Sequence, residues 1–192
     1  MLESTGSTSD SNRQLEKSRG KQHHIYQLSD SQNNILKVIS NNPGIRYREL
    51  ARQTGFANGV LTYHLKILEH AGYTNKFRHN NIIRYYPTNI PNQDLKIISN
   101  LRVCSEKDII VFILHHDFCT FNEIVEHLRK APSTTSWHLR RLCEDGIVSV
   151  HHGEYNLYQI NDKKLVNQML HKYKESFTDK VVNNFVDIAD EL

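Results

Sequence analysis

The stretch VLTYHLKILEHAGY, residues 60–73, recurs in outline as TTSWHLRRLCEDGI, residues 134–147. Both stretches carry a central His-Leu pair and end in a glycine followed by an apolar residue. In the first, Leu61, Leu65 and Leu68 stand at positions i, i+4 and i+7, a spacing that places them on one face of a helix. The closing glycine tolerates the left-handed backbone that commonly ends a helix. The chain is therefore predicted to contain the same amphipathic helix twice.

The similarity extends over two whole segments, because residues 33–86 align with residues 107–160 at an offset of 74, without a gap and with eight identities. In the first segment, apolar residues before Pro43-Gly44 predict one helix, and a short second helix follows it. After the third helix, two strand-like runs flank the polar tip 78–81, which predicts a β-hairpin. The second segment has the same order, with helices near 105–115, 120–129 and 133–145. The expected fold is mainly α with small β-hairpin wings, in the α+β class.

A helix, a second helix, a short turn, a third helix and a hairpin follow one another in the order of a winged helix-turn-helix domain. The third helices, GVLTYHLKILEHAGY and STTSWHLRRLCEDGI, resemble those of ArsR- and MarR-like regulators. In that pattern Ser or Thr precedes a His-Leu pair, and a Leu, then Ala-Gly and an apolar residue, come after it. Over residues 33–160 the chain is similar to archaeal-type tandem winged helix-turn-helix transcriptional regulators. The resemblance implies two such domains that contact DNA through the third helix.

Composition and the resemblance together predict the organisation of the chain. The first residues are polar and lack an apolar run, which is typical of disorder. The final segment has apolar residues at steps of three and four from Val166 to Leu192, which predicts a helix that needs a partner, or two helices if Ser176 and Thr178 divide it. We expect this helix to form a homodimer contact, with docking on the second domain as the alternative. The expected segments are a disordered tail over 1–24, a first winged-helix domain over 25–90, a linker helix over 91–104, a second winged-helix domain over 105–162 and a C-terminal helix over 163–192.

Charge separates the two copies. Residues 33–86 hold eight basic and two acidic side chains, a net charge of +6, whereas residues 107–160 hold five basic and seven acidic ones, a net charge of −2. Neutralisation of phosphates supplies most of the non-specific affinity for DNA. Double-stranded DNA is therefore the expected partner, and the first copy is expected to dominate the contact.

The candidate DNA-binding residues follow from the helix face opposite the leucines, since one face of a recognition helix enters the major groove. In the first copy they lie on the second helix, the third helix and the hairpin: Arg46, Arg48, Asn58, Thr62, Tyr63, Lys66, Lys76, Arg78 and Arg84. In the second copy they lie on the third helix: Ser133, Thr134, Ser136, Trp137 and Arg140. Trp137 has a second interpretation as an interface residue, because exposed Trp is enriched in contacts between domains or subunits.

Other classes of function find little support in the sequence. No phosphate-binding loop, G-x-S-x-G or H-E-x-x-H motif is present, so no enzyme activity and no catalytic residue is expected. His116 and Cys119 lack the second ligand pair of a zinc site, so no metal and no cofactor is expected. The longest apolar run, 109–114, is too short to span a membrane. Three cysteines without C-x-x-C spacing favour a reducing, cytoplasmic location.

The sequence therefore predicts a DNA-binding transcriptional regulator that uses the recognition helix and the basic wing of the first domain. Two alternatives stay open, a protein-interaction scaffold and a component of the basal transcription machinery. Both can be built from tandem winged helices.

Overall fold

A computed structural model describes residues 27–177 of the chain. The whole of the expected disordered tail over 1–24 and the last part of the expected C-terminal helix therefore lie outside the described residues. The first unit contains α1 (Asp30–Asn41), β1 (Ile45–Arg46), α2 (Tyr47–Thr54), α3 (Asn58–His70), β2 (Thr74–His79) and β3 (Ile82–Pro87). A further helix, α4 (Asn92–Leu101), follows it.

The second unit repeats this order. It contains α5 (Cys104–His115), β4 (Cys119–Thr120), α6 (Phe121–Leu128), α7 (Pro132–Glu144), β5 (Val148–His151) and β6 (Leu157–Ile160). It is followed by α8 (Lys163–Lys172) and a 3-10 turn (Glu175–Phe177). The bounds of α1, α2 and α3 recur 74 residues later in α5, α6 and α7. Two winged helix-turn-helix units in an α+β fold are thus present, as the sequence predicts.

Helix ends follow local sequence signals. The Ser29 side chain accepts a hydrogen bond from the backbone N–H of Gln32, and the Ser29 backbone N–H donates to Gln32 Oε1, a capping box that begins α1. Thr120 and Glu123 form the same motif at the start of α6. Gly72, one residue beyond the C-cap of α3, has φ 75, the left-handed conformation that ends the helix.

Each unit has a small antiparallel sheet, with the strand orders β1-β3-β2 and β4-β6-β5. The hairpins β2–β3 and β5–β6 are called wing 1 and wing 2 below. Wing 1 closes with a two-residue turn at Asn80 and Asn81, both at positive φ, which matches the twist of a hairpin. This turn pairs Phe77 with Arg84 and Arg78 with Ile83. Directly opposed residues share a face of the sheet and neighbours along a strand alternate, so Arg78 and Arg84 lie on opposite faces.

Two cores hold the molecule together. The first is formed within unit 1 by Ile35, Ile39, Ile45, Leu50, Leu61, Leu65, Leu68 and Tyr85. The second starts at Tyr86 of wing 1, runs along Leu95, Ile98 and Leu101 of α4 and continues into unit 2. The helix expected as a linker is therefore α4, and it is a buried part of the core that joins the two units.

The described part of the C-terminal helix packs on its own chain. Val166 and Met169 of α8 are buried in the second core, and Tyr173 and Phe177 pack against it. The helix expected over 163–192 ends at Lys172 within the described residues. This part of the segment thus adopts the docking alternative.

Candidate nucleic-acid interface

The recognition helix α3 has one buried face and one exposed face. Leu61, Leu65 and Leu68 are buried in the first core, as the i, i+4, i+7 spacing predicts. The opposite face carries the four candidates of this helix, all of them exposed: Asn58, Thr62, Tyr63 and Lys66. Tyr63 has 62% of its surface exposed although it is aromatic. The structure thus brings these four side chains together on one solvent-facing surface.

Tyr47, the first residue of α2, holds the beginning of α3 in place. Its hydroxyl donates to the carbonyl oxygen of Asn58 at 2.8 Å and lies 2.9 Å from Thr62 Oγ1. One side chain thereby ties the first two turns of α3 to α2. The sequence gives no signal for this contact, because it depends on how α2 and α3 cross.

The basic residues at the start of α2 have different environments. Arg48 is exposed in the first turn of α2. Arg46, the N-cap of this helix, is half-buried and lies directly opposite Arg84 in the β1–β3 register. Arg46 therefore lies on the same face of the sheet as Tyr86. Helix α4 packs on this face, where the Tyr86 hydroxyl lies 2.7 Å from Ser99 Oγ.

Wing 1 offers two basic side chains on its other face. Lys76 Nζ makes an ion pair of 2.9 Å with Glu69 in the last turn of α3, which binds the wing to the recognition helix. Arg78 is exposed on the same face. Since Lys76 is partly neutralised by Glu69, Arg78 is the stronger candidate for a contact with a phosphate.

The expectation that Arg84 contacts DNA is wrong, because the Arg84 side chain is buried. Arg84 is only 3% exposed and its Nη1 donates to the carbonyl oxygen of Gly44 at 3.0 Å. Strand alternation turns it toward the interior, on the face opposite Arg78. There it lies close enough to Tyr86 for its charge to act on the phenol. Burial raises the pKa of Tyr86, while the hydrogen bond with Ser99 and the charges of Arg84 and Arg102 oppose the rise.

The corresponding surface of unit 2 is less basic. On α7, Ser133 and Ser136 are exposed and Thr134 is half-buried. Arg140 is exposed but makes an ion pair of 3.3 Å with Glu144. Wing 2 has no lysine or arginine in either strand. Its surface therefore attracts phosphates less than that of unit 1.

Trp137 joins the exposed face of α7 to a buried charge cluster. Its ring is 41% exposed, and the Arg141 guanidinium carbon lies 4.3 Å from the ring centroid. Arg141 Nη1 is also 3.2 Å from Glu106 Oε1, which lies 3.4 Å from His138 Nδ1. Glu106 and His138 are both buried, so this recurring histidine packs inside unit 2. A structural role for His138 follows.

Metal and membrane sites are absent from the part of the chain that the structure describes. Within residues 27–177 no three His, Cys, Asp or Glu side chains stand close enough to hold a metal ion. No helix in this range is long and apolar enough to cross a membrane. None of the three cysteines forms a disulfide.

The two units with their exposed third helices define the class of protein: the chain carries two helix-turn-helix domains in tandem. Residues 29–97 match a family described as an N-terminal HTH domain, and residues 107–150 match the arsR family of bacterial regulatory proteins. A relative from Methanocaldococcus jannaschii, Uncharacterized HTH-type transcriptional regulator MJ1398, is 31% identical over 148 residues. The alignment covers 77% of this chain and 32% of the relative, so the chain spans about a third of that protein's length.

Proposed function

We propose that the protein is a DNA-binding transcriptional regulator that contacts DNA through α3 and wing 1 of its first unit. The observation that carries this proposal is the exposed polar face of α3, together with the exposed side chains of Arg48 on α2 and Arg78 on wing 1. The two helix-turn-helix family matches support DNA binding, and the name of the relative supports transcriptional regulation. We also propose a cytoplasmic location, which three cysteines without C-x-x-C spacing favour.

The residue types on this face suit the two kinds of contact in a DNA complex. Asn58 can pair with an adenine edge through both atoms of its amide, and Lys66 can reach a guanine or a phosphate. Arg48 and Arg78 carry the phosphate contacts that set orientation and non-specific affinity. Tyr47 leaves α3 little freedom to tilt, because it holds Asn58 and Thr62 at once.

For unit 2 a second function has support of its own. Its acidic balance and its exposed aromatic side chains, Trp137, Phe118 and Tyr155, fit contact with a protein better than contact with phosphates. We therefore propose that Ser133, Thr134, Ser136, Trp137 and Arg140 add little to DNA affinity. A scaffold for other proteins is the alternative function for the whole chain.

A homodimer through the C-terminal segment remains part of the proposal. Val166 and Met169 are used within the chain, so the dimer contact would have to come from the apolar positions after residue 177. Sedimentation equilibrium at micromolar concentration tests this, and a monomer mass would contradict it.

A salt titration on duplex DNA tests the main proposal. The affinity of the wild type should fall steeply as NaCl is raised, because counterions are released from the phosphates. Arg78→Ala should weaken binding and reduce the slope of log K against log [salt] by about 1, the loss of one phosphate contact. Lys37→Ala, which removes an equal charge from an exposed position on α1, is the matched control and should leave the slope nearly unchanged.

Two results would count against DNA binding at this surface. One is a wild-type protein that does not bind duplex DNA at any salt concentration, which would favour the scaffold. The other is a slope that changes as much for Lys37→Ala as for Arg78→Ala, since the contact would then be diffuse.

A further inference from the structure

The tip of wing 1 contacts the end of the recognition helix of the other unit. His79 Nε2 lies 2.7 Å from Asp145 Oδ2, and only 11% and 10% of the two side chains are exposed. Asn80, next in the chain, has its side-chain oxygen 3.1 Å from Arg141 Nε in the amide orientation that satisfies both groups. Asp145 is the C-cap of α7, and Arg141 lies in its last turn. The hairpin of unit 1 is thus joined to α7 of unit 2.

Asp145 is held from α4 as well. Asn100 Nδ2 donates to Asp145 Oδ2 at 2.8 Å, and Lys96 Nζ lies 3.6 Å from Asp145 Oδ1. Burial by itself would raise the pKa of this carboxyl group, but the hydrogen bonds from His79 and Asn100 and the nearby charges hold its pKa below the usual value. The carboxylate is consequently a charged acceptor at a fixed position, with contacts to two other elements, wing 1 and α4.

Strand alternation connects this contact to Arg78. The rings of Phe77 and His79 lie nearly parallel with centroids 6.0 Å apart, and Phe77 packs against the core that α4 shares with unit 2. Arg78 stands between them in the chain and faces the opposite side of the sheet. Both neighbours of Arg78 are therefore anchored, and its backbone cannot move without breaking one of their contacts.

We propose that Asp145 is a positioning residue for DNA binding: by holding His79, it fixes the tip of wing 1 where Arg78 meets a DNA phosphate. This inference rests on the proposed function of Arg78. A hairpin that is already ordered loses less conformational entropy on binding than a mobile one. Unit 2 thereby contributes to DNA affinity through wing 1, independently of any contact that α7 itself makes with DNA.

Removal of the Asp145 carboxylate has two effects on DNA affinity, and their signs are opposite. The loss of a negative charge from the protein raises affinity for phosphates by electrostatics alone. The loss of the anchor lowers affinity, because the wing must then be ordered during binding. The direction of the change therefore distinguishes positioning from net charge.

The experiment is a double-mutant cycle on the full chain. Affinity for a mixed-sequence DNA duplex is measured by fluorescence anisotropy for the wild type, Asp145→Ala, Arg78→Ala and the double variant. Asp145→Ala should weaken binding by about two- to tenfold, the range for immobilising one flexible side chain. In the Arg78→Ala background it should cause no further loss, because the side chain that it positions is gone and only the small electrostatic gain in affinity remains.

Two further variants sharpen the cycle. Asp145→Asn keeps an acceptor for His79 and should recover most of the lost affinity, which a general structural defect would not do. Asp108→Ala removes an exposed carboxylate from α5 and is the matched control for charge. Its affinity should equal or slightly exceed that of the wild type.

The outcomes decide between the claims. An Asp145→Ala protein that binds as tightly as the wild type, or an equal loss with and without Arg78, overturns the positioning role alone. A wild type that does not bind the duplex overturns the proposed function and this inference with it. If circular dichroism shows that Asp145→Ala is unfolded, His79→Ala breaks the same contact from the wing side and leaves Asp145 with Asn100 and Lys96. The same loss, dependent on Arg78, is then expected, and its absence overturns the inference.

Discussion

Two arginines on adjacent strands of wing 1 should have opposite phenotypes when each is changed to alanine. Arg84 is 3% exposed and donates to the Gly44 carbonyl oxygen at 3.0 Å, whereas Arg78 is exposed on the other face. Arg84→Ala leaves that carbonyl without its charged donor and removes buried side-chain volume. The hydrogen bond to a charged group is worth about 1.5–3 kcal/mol. We therefore expect Arg84→Ala to lower the free energy of unfolding by about 1.5–3 kcal/mol or more.

For a domain of this size, about 1 kcal/mol corresponds to a shift of roughly 2–4 °C in Tm, so Arg84→Ala should lower Tm by about 3–12 °C. Arg78→Ala, an exposed substitution, should change the free energy of unfolding by no more than about 0.5 kcal/mol. Urea denaturation followed by circular dichroism measures both changes in the free energy of unfolding, and the salt titration on duplex DNA measures the loss of the Arg78 phosphate contact.

The salt slope of DNA binding separates the two positions further. Arg84→Ala should keep the wild-type slope below its melting temperature, since a buried guanidinium makes no phosphate contact. A stable Arg84→Ala protein with a reduced slope would refute this reasoning and would restore Arg84 as a DNA ligand.

Three other substitutions test packing, backbone and charge. In urea denaturation, Leu68→Ala, in the first core, should lower the free energy of unfolding by about 2–5 kcal/mol. Val60→Ala, at a side chain that is 44% exposed, should lower it by less than about 0.5 kcal/mol. Similar losses for the two variants would contradict the orientation of α3. Gly44 and Gly72 both have positive φ, and Gly44→Ala should be more destabilising than Gly72→Ala. A Cβ at Gly44 would lie 3.1 Å from the Tyr86 hydroxyl and 3.2 Å from Ile98, whereas nothing lies within 4 Å of a Cβ at Gly72. This overpacking should lower the free energy of unfolding by about 1–3 kcal/mol more, and equal Tm values for the two variants would argue against the close contact. Because the pKa of Asp145 is lowered in the folded state, its carboxylate contributes stability when the pH is above its usual pKa of about 4, and this contribution is lost as the pH falls through the folded-state pKa. Asp145→Asn should therefore flatten the acid side of a plot of Tm against pH. An unchanged acid side would show that the carboxylate does not couple to folding.

The helices of this protein could be predicted because their signals are local. Apolar spacing in α3 and the glycine after it are read within one stretch of sequence, and the matching stretch at α7 fixes the second copy. The four exposed candidates on α3 follow from the same periodicity, since the face opposite the leucines can be read directly.

The faces of wing 1 depend on register. The sequence predicts the polar run 78–81 as the tip of the hairpin, and this does not determine which residues pair across the two strands. A two-residue turn at Asn80 and Asn81 pairs Phe77 with Arg84 and separates Arg84 from Arg78. The signal for this lies in the sequence, because Asn is one of the few residues that favour positive φ at both turn positions.

The contacts between the units have no such signal. Arg102 donates to the Pro43 carbonyl oxygen across 59 residues, and His79 reaches Asp145 from the other unit. Neither pair has a spacing or a pattern that marks it, since both form only when α4 is buried between the units.

The sequence by itself determined the two winged helix-turn-helix units, the exposed face of α3 and the difference in charge between the copies, because periodicity and composition act over neighbouring residues. The tertiary structure alone decided that α4 belongs to a shared core and that the tip of wing 1 rests on α7. It also decided which basic residues of wing 1 remain at the surface. These features arise from burial and pairing between distant segments, and such contacts are set by how the helices and sheets pack together.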